Sequence, residues 1–102
     1  FAITGSGQVG VWQLRDGQWH ILAGINQDQG WVSQKYIQAH EPNRIELTIS
    51  AGVVCGWINS QSIFKDIKLD EARPGNVGFF VSTPDLGVAE TKIHFAHFMV
   101  RK

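Results

Sequence analysis

Apolar and polar residues alternate most cleanly between residues 44 and 50. Ile45, Leu47 and Ile49 fall on one side of an extended run, and Arg44, Glu46 and Thr48 fall on the other. That period of two predicts a strand buried on one face. Ala51-Gly52 closes the run. A second run, residues 53–58, reaches Asn59-Ser60 and resumes through Ile63-Phe64, predicting a hairpin in which Asn59 takes the positive φ. Residues 65–70 alternate more cleanly than they follow the helical spacing of Phe64, Ile67 and Leu69, so they read as strand. Beyond Pro74-Gly75, residues 77–82 put Val77, Phe79 and Val81 on one face with small residues over much of the other, a surface suited to packing on a second sheet.

The same pattern extends to both ends. Residues 1–4 form a short apolar strand ended by the turn Gly5-Ser6-Gly7. Residues 8–15 read as one strand, with Val9, Val11 and Gln13 facing one way and Gly10, Trp12 and Leu14 the other. Asp16-Gly17 is a strong hairpin signal, and residues 18–23 return with Trp19, Ile21 and Ala23 alternating against His20, Leu22 and Gly24. Residues 24–43 are rich in Gln, Asn and Gly and lack a sustained period. They read as a long excursion with a short extended piece at Trp31-Val32, and excursions of this length commonly carry function. In the tail, residues 91–100, Ile93 and Phe95 differ in parity from Phe98 and Val100, which calls for a β-bulge near Ala96-His97. No period repeats and no linker interrupts the chain, so residues 1–102 read as one domain.

The succession Asn43-Arg44-Ile45-Glu46-Leu47, Trp57-Ile58-Asn59-Ser60-Gln61, Gly75-Asn76-Val77-Gly78-Phe79-Phe80 and Ile93-His94-Phe95-Ala96-His97-Phe98-Met99-Val100 resembles the closing strands of concanavalin A-like lectin/glucanase domains. The laminin-G-like and 3-keto-disaccharide hydrolase branches are nearest. Ser60 stands where the hairpin glycine is usual, and Ala96-His97 stands where a polar pair is usual. The resemblance implies an all-β fold, an antiparallel jelly-roll-like β-sandwich, and an extracytoplasmic or secreted location. Because Phe1-Ala2-Ile3-Thr4-Gly5-Ser6-Gly7 is similar to an internal strand of such domains, it further implies the C-terminal part of a larger domain whose natural chain extends before Phe1. Strands lacking their neighbours expose edges, so the isolated chain is expected to form a homodimer through sheet edges. A rival resemblance covers less of the chain: Gly30-Trp31-Val32-Ser33-Gln34-Lys35-Tyr36-Ile37 is similar to the closing motif of bacterial SH3 domains, which implies a cell-wall-binding module.

Composition narrows the function. With 43% hydrophobic and 18% charged residues, the 102-residue chain is globular and able to bury one modest core. Nine basic and nine acidic residues cancel, so nucleic acid is not an expected partner. No apolar run approaches the length of a bilayer span, so membrane insertion is not expected either. Cys55 stands alone among apolar neighbours and reads as an inert thiol.

Chemical motifs are sparse. Concanavalin-like glucanases flank the glycosidic bond with paired carboxylates on one strand, and the nearest cluster here, Asp66, Asp70 and Glu71, reads as a solvated edge beside Lys65 and Lys68. His94 and His97 are three apart, a spacing that points side chains of an extended strand to opposite faces. Ser6 lacks a nucleophile elbow, and Gly5-Ser6-Gly7-Gln8-Val9-Gly10 lacks the helix that a phosphate loop needs. No residue is therefore assigned a catalytic, metal-binding or cofactor-binding role. What remains is aromatic. Trp12, Trp19, Trp31, Trp57 and Tyr36 can fill a core or stack on the apolar faces of pyranoses. Trp31 and Tyr36 lie in the polar excursion with Gln27, Asp28 and Gln34, whose side chains can hydrogen-bond hydroxyls, and these five form the expected ligand site. The expected function is non-catalytic binding of a glycan or a protein. A glycoside hydrolase-related activity is the alternative that fold analogy alone would suggest.

Overall fold

The computed structural model describes residues 1–22, 28–71, 73, 75, 76, 78 and 93–101. The chain divides into two compact units, Phe1–Ala72 and Arg73–Lys102. The first holds eight strands: β1 (Ala2–Ile3), β2 (Gln8–Gly10), β3 (Trp12–Arg15), β4 (Gln18–Ile21), β5 (Val32–Ser33), β6 (Ile45–Ser50), β7 (Val53–Ile58) and β8 (Gln61–Lys68). Every pairing is antiparallel, in three small sheets ordered β1-β2-β5, β3-β4 and β6-β7-β8. The all-β expectation holds. Among the described residues the only helical element is a single 3-10 turn, Asp28–Gly30, interrupted by left-handed Gln29 (φ 60°).

Three hairpins close through two-residue turns with both central residues at positive φ: Asp16 and Gly17, Ala51 and Gly52, Asn59 and Ser60. This is the primed geometry whose twist matches that of the flanking strands. Asn and Asp tolerate it through their short polar side chains, whereas Ala51 (φ 49°) holds it against its own Cβ.

The predicted strand 8–15 breaks at Val11. Residues 8–10 pair with β1 and β5, while residues 12–15 pair with β4. The indole of Trp12 explains the break: it lies across Gly10, where a Cβ would sit 2.0 Å from Cη2, and against Gly30, where a Cβ would sit 2.6 Å from Nε1. Only glycine admits a ring that close, so the chain turns between sheets there. Val11 at the corner is buried, and its carbonyl accepts a hydrogen bond from the Leu22 N–H.

Val11 and Leu22 join Val54, Phe64 and Ile67 in one buried cluster, with Phe1, Val32, Ile63 and Leu69 packed against it. The core therefore draws on the segments around β3–β4 and on β7–β8. Phe64 covers Gly56 on the adjacent strand, where a Cβ would meet the ring at 2.4 Å, and meets Phe1 edge-on at 5.1 Å. The ring fills the gap that glycine leaves in the sheet face. Strand β8 carries two residues more than β7 across the register shifts at Val54/Gly56 and Gly56/Trp57. At the first, Asp66 takes φ 57° and donates its N–H to Cys55 Sγ at 3.4 Å.

Several expectations are corrected. Ile45, Leu47 and Ile49 register with Ile58, Gly56 and Val54 and so share the core-side face, yet they are exposed at 45%, 44% and 60%. The core covers β7 and β8 and stops short of the edge strand. The strand 65–70 ends at Lys68, leaving Asp70 in a turn where its largely exposed carboxylate faces Arg15 at 3.5 Å. In the second unit, residues 93–100 form no strand, and the backbone at the predicted bulge is left-handed at His97 (φ 57°). The alternation there found no described strand to pair with. The run 77–82 lies outside the described residues apart from Gly78.

Candidate functional site

An open groove of about 640 Å³ lies between the turn after β1 and the segment leaving β5, lined by Ser6, Gly7, Ser33, Gln34, Lys35 and Tyr36. Its two walls are 26 or more positions apart in sequence and are joined by backbone pairing: Gln8 registers with Ser33, and the Gln34 N–H donates to the Gly7 carbonyl at 2.8 Å. The first wall is a self-bonded turn. Gly7 N–H donates to the Thr4 carbonyl at 3.1 Å, Gln8 N–H donates to Thr4 Oγ1 at 3.0 Å, and Ser6 Oγ lies 2.9 Å from Thr4 Oγ1. Gly7 has φ 84°, a conformation that favours glycine. In the second wall the Ile37 N–H donates to the Gln34 carbonyl at 3.3 Å, which places Lys35 and Tyr36 at the tip of a turn.

This tip is fastened to the β6-β7-β8 sheet by two asparagines. Asn59 Nδ2 donates to the Tyr36 carbonyl at 2.7 Å and to Asn43 Oδ1 at 2.9 Å, while its Oδ1 accepts the Arg44 N–H at 2.9 Å. Asn43 in turn accepts the Gln38 N–H at 2.8 Å and donates to the Gln38 carbonyl at 2.9 Å. The main chain of the loop is held while Tyr36, 38% exposed, stays open to solvent. Lys35 Nζ stands 5.3 Å from the centre of that ring, within cation–π range. Gln34 Oε1 accepts the Tyr36 N–H at 3.3 Å, leaving the amide nitrogen as a donor. Its described residues thus offer hydroxyls, one amide, one ammonium and one aromatic face.

Of the five residues expected to bind ligand, Gln34 and Tyr36 meet in this groove. Trp31 lies apart from its lining: the indole is half-buried and packs edge-on against Trp12, with ring centres 4.7 Å apart. Trp12 Nε1 donates to the Gln29 carbonyl at 3.3 Å, tying the 3-10 turn to the same pair. Asp28 opens that turn, and Gln27 lies outside the described residues. Ser6, Ser33 and Lys35 escaped sequence reasoning. The adjacency of Lys35 to Tyr36 was visible, but the approach of Ser6 depends on β2–β5 pairing. Among the described residues, no three of His, Cys, Asp and Glu gather to hold a metal ion, and no helix is long and apolar enough to cross a membrane.

No family model matches this sequence, and searches of curated proteins and of solved structures likewise return no match.

Proposed function

We propose that the chain is a binding module that takes a saccharide in the groove formed by residues 6–7 and 33–36. The observation that carries this reading is the union, in one open groove, of a half-exposed Tyr36 ring with Ser6, Ser33 and Gln34. Pyranoses pair an apolar ring face with a rim of hydroxyls, and this lining offers a partner for each. A shallow groove also suits an extended chain, which can lie across it. The concanavalin A-like, jelly-roll-like sandwich remains the parent fold in this reading. It is supported by a core shared between the segments around β3–β4 and the β7–β8 strands.

One feature favours the bacterial SH3-like alternative, a cell-wall-binding module. It is supported by short antiparallel strands, a break at Val11 and the return of β5 to β2. Glycan-array screening followed by calorimetry tests the proposal. Tyr36→Ala should weaken saccharide binding at least about fivefold, since stacking on one ring is worth roughly 1–3 kcal/mol by analogy with aromatic platforms. Its melting temperature should be nearly unchanged, because the Asn59 bonds reach the Tyr36 main chain. Full affinity in Tyr36→Ala, or failure of every saccharide to bind, would remove the groove from consideration.

A further inference from the structure

The groove's charge names its ligand more closely, and the inference rests on the saccharide reading above. Among the described residues Lys35 is the only charged one lining the groove, and no described carboxylate pairs with it; the described ion pairs are Arg15–Asp70 and Arg44–Glu46. Its ammonium sits over the Tyr36 ring, where a pyranose would stack. A neutral sugar taking that face would displace the cation and offer it only uncharged hydroxyl acceptors. A sugar with an anionic substituent would stack on the ring and carry its own counter-ion to Nζ, converting a weak cation–π contact into a charge-assisted hydrogen bond. Ser6, Ser33 and the Gln34 amide would still meet its hydroxyls.

We infer that the groove selects acidic saccharides, with the carboxylate of a uronic acid residue on Lys35 Nζ and the same pyranose ring on Tyr36. A uronate carboxyl is attached directly to the ring, so one residue can make both contacts. Because the site is open, the charge contributes selectivity of a modest size that falls with added salt.

The test is titration calorimetry of the 102-residue chain with an oligogalacturonate and with the same oligomer after reduction of its carboxyls to alcohols, at low and high salt. The oligogalacturonate should bind tighter by up to about fivefold at low salt. Lys35→Gln should erase that preference, and Lys35→Arg should keep most of it. A sulfated neutral oligosaccharide that binds in a Lys35-dependent way, but more weakly than the uronate, would support the same anion chemistry. Equal affinity for the native and reduced oligomers, both lost in Tyr36→Ala, would overturn the acidic selectivity and leave the saccharide reading intact. No binding by either oligomer or by neutral glycans would end both. Preference for an acidic peptide over every saccharide would overturn the inference in favour of a protein partner.

Discussion

The β3–β4 hairpin and the β6-β7-β8 sheet are built alike and face opposite ways. Each uses alternating strands joined by a primed turn. In the sheet, the face bearing Val54, Ile58, Phe64 and Ile67 turns inward and is buried. In the hairpin, cross-strand pairs put Trp12, Ile21, Leu14 and Trp19 on one face, and the last three are exposed, Trp19 at 65%. Its polar face is bonded to the backbone beyond β8, while Trp12 alone of the apolar four packs across Gly10 and Trp31. Gln13 donates through Nε2 to the Asp70 carbonyl and accepts the Asp70 N–H at 3.2 Å, a two-point bond with the backbone beyond β8. Arg15 reaches the Asp70 carboxylate at 3.5 Å, but that carboxylate is largely exposed and Arg15 Nε is buried without an acceptor, so the ion pair contributes less than about 1 kcal/mol. Gln13 is the firmer attachment. Alternation separates two faces; what each face meets decides which is inside.

Substitutions should widen or erase this contrast, and the sheet should suffer most. Phe64→Ala removes the ring that covers Gly56 and touches Phe1, and should cost about 3–5 kcal/mol by urea denaturation. A cost under 1 kcal/mol would mean that the sheet face is not the core. Gln13→Ala should cost about 1 kcal/mol, because it removes two exposed hydrogen bonds to the Asp70 backbone that water can replace only in part. Hydrogen exchange should then quicken in residues 12–21 and stay slow in β7. Relief of strain should bring a gain: Ala51→Asn keeps the left-handed turn and should stabilise by roughly 1 kcal/mol, read as a raised denaturation midpoint. Leu14→Thr and Trp19→Thr should each stay within about 0.5 kcal/mol of the parent, since both side chains already stand in solvent. A loss above 2 kcal/mol in either would reverse the assignment of the hairpin's outer face.

What could be read from the chain follows the same division. Asp16-Gly17 and Asn59-Ser60 were legible because a primed turn demands residues that tolerate positive φ, a local requirement. The exposure of Ile45, Leu47 and Ile49 was not, since their alternation is indistinguishable from that of a buried strand. The break at Val11 was equally hidden. It depends on Trp12 lying over Gly10 and Gly30, and Gly30 is distant in sequence. In the groove, Tyr36 and Gln34 stood out as chemistry within a polar excursion, whereas Ser6 arrives through strand pairing. Trp31 drew attention by its polar neighbours, while the structure pairs it with Trp12.

Asn59 ties the groove to the order in which the chain folds. It is the turn residue of the β7–β8 hairpin, and its amide also holds the Tyr36 carbonyl, 23 positions earlier. Local hairpins close cheaply and early, whereas a contact across that separation waits for its partners to be placed. During synthesis the groove residues emerge well before the side chain that locks them. The groove should therefore be completed only after the β7–β8 turn has formed, making Asn59 a checkpoint between local folding and closure of the groove.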